Sequence, residues 1–238
     1  MDLHIPAALS VAFLLTTLTT VILFHRTVAA ASDLSVQRLA WPITIGALIW
    51  LTAQGILSIQ GIYWKTPGAL PPRIFLFGVL PALVVIAVAF ATSTGRRLIS
   101  ALPLFRLTWI HSVRIAVELI LWALFLQRAV PELMTFEGRN LDIVAGVTAP
   151  FVAVGIVKNW FTSRMLLIWN LICLALLFNI VTIAVLSVPS PLQQFGFDQP
   201  NRAVLIFPFT MLPAYVVPMV LFSHLVAIWR LVQGTGKR

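Results

Sequence analysis

Residues 109–122 read WIHSVRIAVELILW, an apolar run that holds His111, Arg114 and Glu118 between two tryptophans. The three ionisable residues are spaced by three and by four. At 100° per residue they share an arc of roughly 60° on one helix face. A helix that carries charge on one narrow stripe and hydrocarbon everywhere else does not belong on the surface of a soluble domain.

The surrounding chain agrees. Its 238 residues are 60% hydrophobic and 10% charged, and its mean hydropathy is +1.01. Soluble domains carry about 25% charged residues, so there is too little polar surface here to cover a globule in water. The expected solvent is lipid. Crossing the hydrocarbon core takes about 20 apolar residues in a helix. Seven runs come near that length: residues 5–24, 41–62, 74–92, 107–130, 141–157, 165–187 and 205–232. The fifth is the shortest. Backbone groups in lipid must be satisfied within the segment, and no alternating ten-residue barrel strands are visible, so these runs are predicted to be helices. The expected fold is an all-α polytopic membrane protein, a single seven-transmembrane-helix bundle.

Segments with Pro, Gly or charge separate the runs, as in WKTPGALPPR, STGRRLISALPLFR and VPSPLQQFGFDQPNR. The small residues of TVAAAS after the first run resemble a cleavage site. The leading MDLH lacks a basic residue, however, and the run is as long as a span, so an uncleaved first helix is expected.

Net charge is +9, from 16 Lys and Arg against 7 Asp and Glu. The basic residues are scattered over short segments beside the runs, a topological signal with no nucleic-acid partner implied. With the N-terminus outside, ten fall in inner segments (Arg26, Arg38, Arg96, Arg97, Arg106, Lys158, Arg164, Arg230, Lys237 and Arg238) and five in outer ones (Lys65, Arg73, Arg128, Arg139 and Arg202). Among the acids, Asp2, Glu132, Glu137, Asp142 and Asp198 fall outside and Asp33 inside. That balance predicts the N-terminus outside and the C-terminus cytoplasmic, in a bacterial inner (plasma) membrane.

Glu118 falls near mid-span, with Arg114 about 6 Å and His111 about 10 Å toward the cytoplasm. A charge at the bilayer centre costs at least about 2.5–3.5 kcal/mol. The stripe should therefore face the bundle, either with Arg114 and Glu118 paired at i, i+4 or lining a polar site. Asn170 and His224 fall at the depth of His111 and Arg114, and Gln54 near mid-membrane. Glu118, Arg114, His111, His224, Asn170 and Gln54 are the candidate ligand- or ion-binding residues. In the outer segment PELMTFEGRNLDI, Glu137, Arg139 and Asp142 are candidates for an entrance, while Asn140 is placed to cap the fifth helix. The last run holds Pro208, Pro213 and Pro218. Such a helix either bends for packing or lines a cavity.

Several chemistries lack their residues. A retinal Schiff base needs a lysine midway along the seventh helix, and the nearest is Lys237, past its end. The seven-helix zinc hydrolases carry a paired HxxxH, whereas SHLVA offers one histidine. No HExxH, GxSxG or phosphate loop occurs. The single cysteine, Cys173, allows no intrachain disulfide. The leading expectation is a protein that binds or transports a small molecule or ion through a polar intramembrane site, with no cofactor. The alternatives are an accessory subunit without chemistry, and a metal- or haem-dependent enzyme using His111 and His224.

Overall fold

The computed structural model describes residues 5–235. Asp2, Lys237 and Arg238, which entered the charge count, lie outside the described residues. Ten α-helices follow one another: α1 (Ala7–Ala29), α2 (Leu34–Gln37), α3 (Ala40–Ile59), α4 (Leu80–Ala91), α5 (Ser93–Ala101), α6 (Leu104–Ile110), α7 (Val113–Leu126), α8 (Asp142–Val157), α9 (Ser163–Leu186) and α10 (Val217–Thr235). Two π-helical turns, Phe75–Val79 and Leu212–Val216, lead into α4 and α10. No strand occurs among the described residues.

The bundle is built inside out relative to a soluble protein. Val85, Phe151 and Ile172 are 69%, 59% and 57% exposed, while Arg114, Glu118 and His224 are 2%, 1% and 0% exposed. An apolar outer surface of this kind is stable against hydrocarbon and not against water. Five helical stretches are long and apolar enough to cross a membrane: Ala7–Ala29, Leu34–Ile59, Leu104–Leu126, Ser163–Leu186 and Leu212–Gly234. The stretch Phe75–Ala91, bent by 89° into Ser93–Ala101, makes a sixth. The fold is therefore an all-α bundle with five to six candidate spans, as befits an integral membrane protein.

The expected fifth run is where the count of seven loses support. Helix α8 has 16 residues and rises about 24 Å, short of the ~30 Å hydrocarbon core. The reason is where it starts. Asn140 Nδ2 donates to Glu118 Oε2 at 2.6 Å. Glu118 lies two turns before Leu126, where α7 ends, so α8 begins roughly 12 Å inside the end of its neighbour. The preceding segment dips into the bundle to reach that point, with Met134, Thr135 and Asn140 all buried.

The bend after α4 also has a local cause. Thr92 is extended (φ −90°, ψ 152°) and its hydroxyl accepts from Gly95 N–H at 3.1 Å. A Cβ on Gly95 would stand 2.2 Å from Ala89 O, so the turn needs glycine. Arg96 donates to Ala91 O at 2.6 Å and Phe90 O at 3.1 Å, covering carbonyls left open at the end of α4.

The π turns are held by one neighbour. Pro81 and Pro218 lack the N–H that residues four earlier, Phe77 and Ala214, would receive in an α-helix. Helix α3 supplies both substitutes. Gln54 Nε2 donates to Phe77 O at 2.9 Å, and Trp50 Nε1 donates to Ala214 O at 2.9 Å. Elsewhere the buried hydroxyls of Thr16, Thr17, Thr20 and Thr27 donate to carbonyls four residues back.

Contacts define two ends. At one, Ser32 N–H donates to Ala101 O at 2.9 Å, Arg97 Nε meets Asp33 Oδ2 at 2.6 Å, and Arg230 donates to Leu102 O. At the other, Gln199 Nε2 donates to Phe125 O and Val130 O at 2.8 and 2.7 Å, and Asn201 N–H to Ser187 O at 2.8 Å.

Candidate functional site

Arg114 sits at the start of α7, just past a tight turn. Within Leu104–Leu126 the backbone steps from α to 3₁₀ bonding: His111 N–H donates to Thr108 O, Ser112 to Trp109 O, Arg114 to His111 O and Ile115 to Ser112 O, at 3.1–3.2 Å. Helix α8 lies close against this point because Gly146 has no side chain. A Cβ there would stand 2.9 Å from Ile115 N and 3.2 Å from Arg114 Cβ.

That approach delivers Asp142 to the guanidinium. Arg114 Nε donates to Asp142 Oδ2 at 2.5 Å and Nη2 donates to Oδ1, a two-pronged contact that matches the planar fork. Nη2 also donates to Cys173 O at 3.2 Å, and Nη1 to His224 Nε2 at 3.1 Å. The other ring nitrogen of His224 is 2.9 Å from Asn170 Oδ1. With Nε2 accepting from arginine, Nδ1 carries the proton and donates. Asn170 Nδ2 in turn donates to Leu166 O at 2.9 Å. His111 stacks on His224, centroids 3.8 Å apart and planes 21° from parallel, with Trp169 beside both. His111 Nδ1 is buried without a hydrogen-bond partner.

The structure thus brings His111, Arg114, Asn170 and His224 into one polar layer and corrects one pairing and one placement. Arg114 meets Asp142 rather than Glu118. The guanidinium crosses to α8, where a carboxylate can engage two nitrogens, instead of running along its own helix. Asp142 is 4% exposed and stands in this layer, not at an outer entrance. Glu137 and Arg139 stay exposed in the connecting segment. Asn140 Oδ1 does accept from Asp142 N–H at 3.0 Å, at the start of α8. Gln54 belongs to a separate cluster: besides Phe77 O it meets Tyr63, whose hydroxyl donates to Gln54 Oε1 at 2.6 Å. Burial pushes the Tyr63 phenol up to about 12, so it remains a donor.

Glu118 is left with Asn140. Among the described residues the ion pairs are Arg97–Asp33 and Arg114–Asp142, so this buried carboxyl faces no cation at salt-bridge distance. It lines a cavity of about 220 Å³ between the first π turn, α4, α7, α9 and α10. The walls are aliphatic and aromatic, with Asp142 and Asn201 as further polar residues. No group of three or more His, Cys, Asp or Glu able to hold a metal occurs among the described residues. Both His224 nitrogens are already engaged, so His224 has no lone pair to share with His111 in a common ligand set.

The family model of the Domain of unknown function (DUF8737) matches residues 71–232. The chain belongs to that family. No curated protein and no solved structure matches the chain. The DUF8737 region holds the whole Arg114 layer, Glu118 and Asn140. It begins after α1 and α3, so Gln54 and Trp50 lie before it.

No local sequence pattern signals the Asn140–Glu118 bond, the Cys173 carbonyl or the Gly146 contact. The capping role of Asn140 is legible, because Asn two residues before Asp is a helix-start signal. Its second donation reaches across to α7 and has no local pattern.

Proposed function

We propose that this chain is a multi-pass membrane protein that binds, and passes across the bilayer, a small molecule or an ion at Glu118. The observation that carries the reading is a carboxyl, 1% exposed, on the wall of an apolar cavity, with an amide as its hydrogen-bond partner and no cation at salt-bridge distance among the described residues. An ionised carboxylate in such surroundings is expensive, so the group is held either by a proton or by a cation that arrives with a ligand. A side chain that must be neutralised from outside the fold can carry what neutralises it. The Arg114–Asp142 pair, complete in itself, is assigned to scaffold the site, with His224 and Asn170 orienting the guanidinium. The engaged nitrogens of His224 give the metal or haem alternative no support.

For transport the proposed topology is seven crossings, N-terminus outside and C-terminus cytoplasmic, with α8 and the dipping segment before it together forming the fifth. Support comes from the ends described above. Asp33, Arg97 and Arg230, all assigned to the inner side by charge, meet at one end. Such a half-crossing, starting inside the bundle beside a polar site, fits a binding centre lined by interrupted helices.

A lipid-soluble carbodiimide tests the reading. It adds across a protonated carboxyl reached through lipid and rearranges to a stable N-acylurea, with no group lost. Membranes carrying the full chain should show the adduct on the Glu118 peptide by mass spectrometry, none there in Glu118→Gln, and none on Asp142, whose two carboxyl oxygens are both engaged by the Arg114 guanidinium. Absence of an adduct at Glu118, or equal labelling of Asp142, would remove the proton-carrying role.

A further inference from the structure

The cavity has a shape and an opening that say more about its occupant. Its walls include Val79 and Leu83 of the α4 side, Leu177 and Val181 of α9, and Val217 and Leu221 of α10. Two lining residues, Leu83 and Phe178, are 40% and 54% exposed. Both lie within candidate spans, away from the helix ends, on the apolar outer surface. The mouth of the cavity therefore opens where acyl chains lie, not where water does. A solute that enters there has first dissolved in the bilayer. That excludes sugars, amino acids and small hydrated ions by their cost of transfer into hydrocarbon.

The inner end is polar and acidic. Glu118 and Asp142 both line the cavity. Arg114, one turn before Glu118 on α7, is directed to Asp142, His224 and Cys173 O. Asn140 holds one oxygen of Glu118. The fixed groups at this end are thus two carboxyls and one guanidinium, and a single positive charge is what completes them. A carboxylate-headed solute would meet Glu118 with like charge and leave both desolvated. A neutral alcohol would gain only from its tail.

We propose that the cavity takes an amphiphilic cation, an amine on an apolar chain, that enters sideways from the lipid between α4 and α9 and sets its ammonium against Glu118. This deepens the reading given above and rests on it for the role of Glu118. The tail replaces lipid along the α9 and α10 walls, and the head is recognised by a charge-assisted hydrogen bond in a place where water does not compete. The π turn Leu212–Val216 and Pro218 stand at the cavity wall, irregular backbone of the kind found where a helix lines a cavity.

The test is calorimetric titration of the full chain in nanodiscs with octylamine, octanol and octanoate, with empty discs as the blank. Wild type should bind octylamine saturably, about tenfold or more tightly than octanol, with octanoate weakest. Glu118→Gln should lose the amine preference while still binding octanol. Val181→Trp, which fills the cavity away from the polar end, should weaken both. Thermal unfolding of each variant checks that it folds. If Glu118→Gln does not fold, the wild-type preference and the weakened binding of both ligands in Val181→Trp decide. Equal binding of amine and alcohol by wild type overturns the proposal, as does an amine preference that survives in folded Glu118→Gln. Carbodiimide labelling of Glu118 without an amine preference sinks this inference alone and leaves the proton reading standing. An amine preference without labelling does the reverse, and failure of both removes both.

Discussion

Arg114 and Asp142 form a buried two-pronged ion pair between α7 and α8, and Glu118, one turn further along α7, is not part of it. Both partners are satisfied: Asp142 by the guanidinium, the guanidinium by Asp142, His224 and Cys173 O. Breaking one side leaves an uncompensated charge in the bundle, whereas replacing both sides with hydrocarbon leaves none. Arg114→Met and Asp142→Leu should each destabilise the protein by about 3–5 kcal/mol, and the double variant should recover most of that loss. Reversible unfolding in mixed micelles measures all three. A double variant no better than the worse single variant would show that the pair does more than neutralise itself.

The close approach of α8 at Gly146 gives a second expectation. A Cβ there already meets Ile115 N at 2.9 Å, a backbone atom that cannot turn aside. Gly146→Leu must push α8 away from α7 and draw Asp142 off Arg114. Overpacking of this kind costs about 1–3 kcal/mol. The loss should appear as lowered thermal stability in detergent, and it should be smaller in the Arg114→Met/Asp142→Leu background, where no pair remains to be pulled apart. Additive losses would place the damage elsewhere.

How much of this could be read from sequence follows the range of each interaction. The stripe of His111, Arg114 and Glu118 is a local periodicity, and the depth of Asn170 and His224 follows from counting residues along apolar runs. Those signals bring four residues to one layer. Partner choice is different. Arg114 had a carboxylate one turn away on its own helix, and nothing in the spacing says that Asp142, reached through Gly146, offers better two-pronged geometry. The length of α8 was hidden for the same reason. Residues 141–157 read as a short span, and only the bond from Asn140 to Glu118 shows that this helix starts inside the bundle. Gln54 read as a mid-membrane polar residue. Its use depends on Pro81, which strands Phe77 O one turn back in a different element.

That last relation is itself testable. Gln54→Leu removes the donor to Phe77 O and the acceptor of the Tyr63 hydroxyl. The buried Tyr63 hydroxyl and the part-buried Phe77 carbonyl lose partners, the first at about 1–3 kcal/mol and the second at less. Pro81→Ala restores an N–H four residues after Phe77, so it should reduce the loss caused by Gln54→Leu. A double-mutant cycle in thermal or denaturant unfolding measures the coupling. Strictly additive effects would mean that the carbonyl freed by Pro81 is not what Gln54 serves.

At the basic end, Arg97 beside Asp33, with two hydrogen bonds from Ser35, holds the Asp33 carboxyl down at about 2 against its ordinary 3.8. A carboxyl depressed by folding stabilises the fold at pH above its unfolded value, and that contribution is lost as pH falls through about 2. Arg97→Gln removes the largest cause, so the Asp33 carboxyl should climb back toward 3.8. A carbon-detected NMR titration of Asp33 in wild type and variant reads the change directly. An unmoved titration would mean that the Ser35 bonds alone hold the group.

Orientation can be settled with the native thiol left in place, because Cys173 is 3% exposed and should stay silent to a membrane-impermeant maleimide. Ser100 is exposed on α5 at the end where Asp33, Arg97 and Arg230 meet, and Glu137 is exposed in the segment before α8. If ten of the basic residues mark the cytoplasmic side, Glu137→Cys reacts in intact cells and Ser100→Cys reacts only after the membrane is opened. The same pair also tests the crossing formed by α6 and α7. Were α7 to return to the side it came from, both cysteines would label from one side. Labelling of Ser100→Cys in intact cells, with Glu137→Cys protected, would invert the bundle and place the basic end outside.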